Sequence, residues 1–245
     1  MKKIICLLLL LSVVCVGSAR SRKATCNLVF IGNSITEGVL HADKSKTAPP
    51  VLTASMVGKM LSRDIIFRNC GRSGATTVDF LPSEQRDFVR VEKAIKDIQE
   101  ISYEPIIFSI MLGTNDLQLK KDITAEELPV GISHLVDIIQ AHKKTGRGIQ
   151  PPKVLILAPI EVRPSAPEGR TAVYAKFRCD IGRNLSLMFP QVYEQVAKEK
   201  GCYFLNAQEF AQPGPADGVH FDAESHIRLG RGVAQFIVSE IYPNV

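Results

Sequence analysis

Five short apolar runs, separated by longer mixed stretches, set the tightest limit on how this chain can fold. They are Asn27–Ile31 (NLVFI), Asp64–Arg68 (DIIFR), Pro105–Leu112 (PIIFSIML), Lys153–Ile160 (KVLILAPI) and Cys202–Leu205 (CYFL). Within each run the apolar residues are nearly continuous, not alternating, which is the pattern of strands covered on both faces. Parallel strands require crossover connections, and the segments between the runs are long enough to supply helices. Ala125 to Lys144 carries Leu128, Ile132, Leu135, Val136 and Ile139 at helical spacing, with Thr124 as N-cap and Glu127 three residues on. Ala172–Leu187 and Gln191–Lys200 read as two helices divided by Pro190, and a last helix runs from about Ala223 to Ile241. This order predicts an α/β fold: a three-layer α/β/α sandwich around a central five-stranded, mainly parallel sheet. No low-complexity linker or internal repeat breaks the pattern. At 245 residues the chain can build one sizeable core, and residues 20–245 read as a single domain.

The first residues belong to a different kind of segment. Lys2 and Lys3 precede a charge-free apolar stretch from Ile4 to Val16, and Gly17-Ser18-Ala19 supplies small residues for cleavage. Together they predict a secretory signal over residues 1–19 and an exported protein, periplasmic or secreted. The stretch falls short of the roughly 20 apolar residues needed to cross a bilayer, so no stable membrane insertion is expected once it is removed. Lipid anchoring at Cys15 is disfavoured, because Val14 stands where a small residue is required. The formal charge is +5, with Lys2 and Lys3 contributing two of those charges. The remainder is dispersed, and Lys143-Lys144 with Arg147 suits a helix end better than a phosphate-tracking stripe. Nucleic acid is therefore not an expected partner. Cys26, Cys70, Cys179 and Cys202 show no CxxC spacing and read as free thiols.

In an open parallel sheet, ligands collect beyond the carboxyl ends of the strands. After the first run comes Gly32-Asn33-Ser34-Ile35-Thr36, a serine in the strand-to-helix turn; by itself it could be a helix cap. After the second comes Arg72-Ser73-Gly74-Ala75-Thr76-Thr77, where Gly74 could present a bare backbone N–H or simply need a positive φ. After the third comes Gly113-Thr114-Asn115-Asp116, in which Asn115 can donate from its amide. Before the last helix stands Asp217-Gly218-Val219-His220, a spacing that lets the carboxylate accept from imidazole Nδ1 and leave Nε2 to take a serine proton. No second His or Cys lies at ligand spacing, so no metal is expected. His41, His134, His142 and His226 read as surface or packing residues.

Each segment alone has an ordinary structural reading. In order, and at these distances, the four resemble the conserved blocks of the SGNH (GDSL-type) hydrolase superfamily, and PIIFSIMLGTND, PPKVLILAPI and DGVHFDAESHIRLG resemble its small arylesterase and acyltransferase branch. The resemblance implies Ser34 as nucleophile, His220 as general base and Asp217 as its orienting partner. It further implies an oxyanion hole from the N–H groups of Ser34 and Gly74 and the Asn115 amide, with no cofactor. The one departure is Asn33, which stands where the GDS motif has aspartate. The expected activity is hydrolysis of short-chain acyl esters, acetyl foremost, on small-molecule or carbohydrate substrates. Arg72 and Arg163, after the second and fourth runs, are candidate substrate contacts. Rival readings are a lipase, lysophospholipase or acyltransferase acting on longer chains, with loops such as His41–Val51 forming the groove. A non-catalytic carbohydrate-binding protein on the same scaffold is another. Relatives of this branch assemble into oligomers, so a homo-oligomer is compatible with the sequence.

Overall fold

The computed structural model describes residues 24–40, 43, 46–83, 86–142 and 151–243. The expected signal segment, His41 and the Lys143–Arg147 cluster lie outside them. The five apolar runs become strands β1 (Thr25–Gly32), β2 (Asp64–Asn69), β3 (Ile106–Met111), β4 (Lys153–Ala158) and β5 (Tyr203–Asn206). Every pairing between them is parallel, in the order β2-β1-β3-β4-β5. From β1 the chain first steps to β2 on one side and later to β3 on the other. The crevice between the loops after β1 and β3 is therefore the switch point at which such sheets bind ligands.

Alternate side chains feed two apolar layers, because successive residues of a strand face opposite ways. Val29 and Ile31 of β1, Phe108 and Ile110 of β3, and Val154 and Ile156 of β4 enter one layer. Leu28 and Phe30, Ile107, and Leu155 and Leu157 enter the other. The first layer is closed by helices α3 (Phe88–Gln99), α4 (Leu128–Ala141) and α6 (Cys179–Lys200), the second by α2 (Pro49–Leu61) and α7 (Ala223–Phe236). Short helices α1 (Ser34–Glu37) and α5 (Ala172–Lys176) lie at the sheet top. Burial on both faces explains the continuous apolar runs, with Ile31, Ile107, Ile110, Leu155 and Ile156 all at 0% exposure.

Two boundaries differ from the sequence reading. Pro190 does not divide a helix: α6 runs through it unbroken. A proline removes the N–H that would bond the carbonyl four residues back, and that carbonyl, Ser186 O, accepts instead from Gln208 Nε2 at 3.3 Å. The break falls earlier, at Arg178 and Cys179, both with positive φ. Likewise α4 starts at Leu128, with Pro129 in its first turn, and Thr124 is not its cap. Glu127 keeps half of the expected box, accepting from Thr124 N–H at 2.8 Å. Cys26, Cys70, Cys179 and Cys202 are all free thiols. Among the described residues no helix is long and apolar enough to cross a membrane.

Candidate active site

The chain leaves β1 at Gly32 and turns at Asn33 into α1, whose first residue is Ser34. Asn33 is the N-cap: its Oδ1 accepts from Ile35 N–H at 3.1 Å. The position is buried, so a neutral amide makes the cap without the cost of enclosing a charge. Asparagine in place of aspartate thus leaves the serine turn intact.

Asp217 builds the loop that faces Ser34. Its Oδ1 accepts from the N–H groups of Val219 at 3.0 Å and His220 at 2.9 Å, while Gly218 between them takes φ 72°. Asp217 Oδ2 lies 2.7 Å from His220 Nδ1, and His220 Nε2 lies 2.8 Å from Ser34 Oγ. Burial pushes the Asp217 carboxyl pKa up, but the side-chain and backbone hydrogen bonds from His220, with that of Val219, outweigh it and hold the pKa well below the usual range. The group is a carboxylate at neutral pH. It favours the tautomer with the proton on Nδ1, which leaves the Nε2 lone pair for the serine hydroxyl.

The loop after β2 and the turn after β3 are locked together beside the serine. Gly74 has φ 77°, and open space surrounds the place a Cβ would occupy. Arg72 N–H bonds Gly32 O at 3.0 Å at one end of this loop. At the other end Asp116 accepts from both the N–H and the hydroxyl of Thr77. Asn115 Nδ2 donates to Ala75 O at 3.0 Å, and its Oδ1 accepts from Gln118 Nε2 at 2.7 Å. That fixes the amide plane and leaves one Nδ2 hydrogen for a further acceptor. Burial pushes the Asp116 carboxyl up to about 6 in spite of the Thr77 bonds.

Ser34, Gly74, Asn115, Asp217 and His220, brought from four separate loops, line one pocket of about 270 Å³. Val39, Val173, Phe177 and Val219 add apolar wall, and Lys176 stands with them. The two arginines singled out in the sequence do not line it. Arg72 is committed to Asp79 and Asp87, and Arg163 to Gln212 and the Pro213 carbonyl. Both brace loops that carry site residues. The arginine that does reach the pocket is Arg170, whose Nη2 donates to Asp217 Oδ2 at 2.7 Å, the oxygen that also faces His220. Nothing in the local sequence separates Arg170 from Arg163. Gln118 carries a faint signal, since its spacing of three from Asn115 suits a helical turn. Among the described residues no group of three or more His, Cys, Asp or Glu could hold a metal ion.

A serine at the switch point, hydrogen-bonded to a His–Asp pair and flanked by donors from the β2 and β3 loops, defines an SGNH-type hydrolase. The chain belongs to the GDSL-like lipase/acylhydrolase family, whose model matches residues 30–227, and it is a carboxylic ester hydrolase. The fold is shared with Est24, a carbohydrate acetylesterase from Sinorhizobium meliloti, at TM-score 0.71 and 23% identity, over 89% of this chain and 99% of that one. A carbohydrate acetylesterase family member from the same organism aligns at TM-score 0.69 and 27% identity, over 88% and 97% of the two chains. Axe2, an acetylxylan esterase from Geobacillus stearothermophilus, aligns at TM-score 0.60 and 20% identity, over 88% and 96%. No curated protein sequence matches the chain.

Proposed function

We propose that this protein is an exported serine esterase that removes short acyl groups, acetyl foremost, from carbohydrate esters. The observation that carries the proposal is the unbroken hydrogen-bond chain from Ser34 Oγ through His220 to Asp217, with both links at or below 2.8 Å. In the first step Ser34 Oγ attacks the ester carbonyl carbon as its proton passes to His220 Nε2. The tetrahedral intermediate then collapses: its bond to the alcohol oxygen breaks, and His220 gives that oxygen the proton. Water attacks the acyl-enzyme in the same way, with His220 again as base, and releases the acid. Asp217 stays ionised throughout and offsets the imidazolium charge. The negative oxygen of each intermediate is received by Ser34 N–H, Gly74 N–H and the remaining hydrogen of Asn115 Nδ2. None of these steps calls on a cofactor.

The modest volume of the catalytic pocket favours a short acyl chain. A carbohydrate alcohol is supported by the likeness to two carbohydrate acetylesterases and an acetylxylan esterase. Export rests on the sequence of residues 1–19, as does the single domain over 20–245 on the run of elements. The test is hydrolysis of p-nitrophenyl acetate, butyrate and octanoate by the mature protein and by Ser34→Ala. The expected outcome is turnover that falls with chain length and vanishes in the variant. Preference for octanoate would favour the lipase reading, and Ser34-independent or absent turnover would favour the carbohydrate-binding one.

A further inference from the structure

A second cavity, of about 660 Å³, is more than twice the volume of the catalytic pocket of about 270 Å³. It is walled by Glu168 and Gly169 from the β4–α5 loop, Gly214, Pro215 and Ala216 from the loop that leads into Asp217, and Asp222 just after His220. Arg170 lines both cavities, so they are neighbours that share one wall. The two loops are joined by backbone bonds, Ala166 N–H to Pro215 O at 2.9 Å and Arg170 N–H to Ala216 O at 2.7 Å, which give this wall a defined shape.

Position and chemistry together limit what this cavity can take. The acid that protonates the departing alcohol is His220, so the alcohol leaves on the His220 side of Ser34. The oxyanion donors Gly74 and Asn115 come from the β2 and β3 loops, whereas the second cavity is built from the β4–α5 loop and the loop after β5 that holds Asp217 and His220, with Leu40 from the segment after α1. The carbonyls of Gly214, Pro215 and Ala216 are already engaged by backbone N–H groups, but the exposed carboxylate of Glu168 accepts hydrogen bonds, which suits hydroxyl donors. Asp222 adds a second carboxylate, with one oxygen already engaged by Ser225 N–H. The cation on this wall, Arg170, is already paired with Asp217. An anionic ligand would meet two carboxylates there.

We propose that the second cavity is the subsite for the alcohol half of the ester, and that this alcohol is a neutral saccharide. The proposal rests on the esterase reading given above. When the carbonyl carbon–oxygen bond breaks, the proton on His220 Nε2 passes to the sugar oxygen and the free saccharide departs through this cavity.

The experiment compares kcat/KM for an acetylated neutral xylooligosaccharide, for an acetylated uronic-acid oligosaccharide and for ethyl acetate, whose alcohol leaves the cavity almost empty. In the wild-type protein the neutral saccharide is expected to be the best of the three. Glu168→Trp and Pro215→Trp fill the cavity from each of its two joined loops, both at exposed positions. Each is expected to lower the ratio of kcat/KM for the neutral saccharide over ethyl acetate by about tenfold or more. A ratio unchanged in both variants, or equal use of the uronic-acid ester, overturns the proposal while Ser34-dependent hydrolysis of ethyl acetate keeps the esterase reading. Loss of hydrolysis of all three by the wild-type protein removes both.

Discussion

Asn115 is held for its task by two bonds, and the worth of that arrangement can be measured. Its Nδ2 donates to Ala75 O at 3.0 Å and its Oδ1 receives Gln118 Nε2 at 2.7 Å, in a region where both side chains are buried. Losing one oxyanion donor costs about 10²–10³ in kcat, or roughly 2.7–4 kcal/mol, so Asn115→Ala should fall in that range. Gln118→Leu keeps the bulk but leaves Oδ1 without its donor, and the amide is freer to turn. A neutral hydrogen bond is worth about 1 kcal/mol net, which sets the expected loss at about fivefold in kcat with KM little changed. The two residues should then be coupled. In the Asn115→Ala background, Gln118→Leu should alter kcat by less than about twofold, since there is no amide left to orient. The assay is steady-state hydrolysis of p-nitrophenyl acetate by the four proteins, with thermal unfolding to establish that each is folded. Asn115→Ala within about threefold of wild type would remove Asn115 from the oxyanion hole. Additive losses would refute the claim that Gln118 acts through it.

Two other perturbations follow from the same geometry. Arg170→Gln removes a charged donor from Asp217 Oδ2; because the arginine is 59% exposed, solvent screens the pair, and the expected loss in kcat/KM is only about three- to tenfold. A loss as large as that of Asp217→Asn would show that Arg170 does more than steady the carboxylate. For Asp116, the folded-state pKa of about 6 lies above the ordinary 3.8, so at pH 7 a buried charge opposes folding by up to roughly 3 kcal/mol. As pH falls from about 6 to 4 the folded protein takes up a proton that the unfolded chain does not, and this penalty disappears. Urea unfolding should therefore show Asp116→Asn gaining on wild type by about 1–3 kcal/mol more at pH 7 than at pH 4.5, and a pH-independent difference would contradict the assignment.

The parts of this molecule that the sequence announces are those whose signal is local. The β1, β3 and β4 strands are nearly continuous in apolar residues because both faces are covered, and Ser34, Asn115 and His220 each follow a strand or precede a helix at a recognisable spacing. What escapes a linear reading depends on distant partners. The helix across Pro190 survives because Gln208, from the segment after β5, takes the orphaned carbonyl. Arg170 reaches Asp217 because backbone bonds zip its loop to residues 215–218, and Arg163, nearer to β4, is turned to Gln212. Arg72 is drawn away from the pocket by Asp79 and Asp87. Helices α2 and α3 are not announced by the apolar runs. The chain of α2 is apolar on most sides and starts at two prolines, while α3 buries one narrow stripe, Val91, Ala94, Ile95 and Ile98.

The central claim is that Ser34 is a nucleophile activated by His220. Its most direct test is treatment of the mature protein with an organophosphonate bearing a good leaving group, followed by peptide mass mapping. One covalent adduct is expected, on the peptide containing Ser34, formed quickly in the wild type and markedly more slowly in His220→Ala. An adduct elsewhere, or labelling that is indifferent to His220, would contradict it.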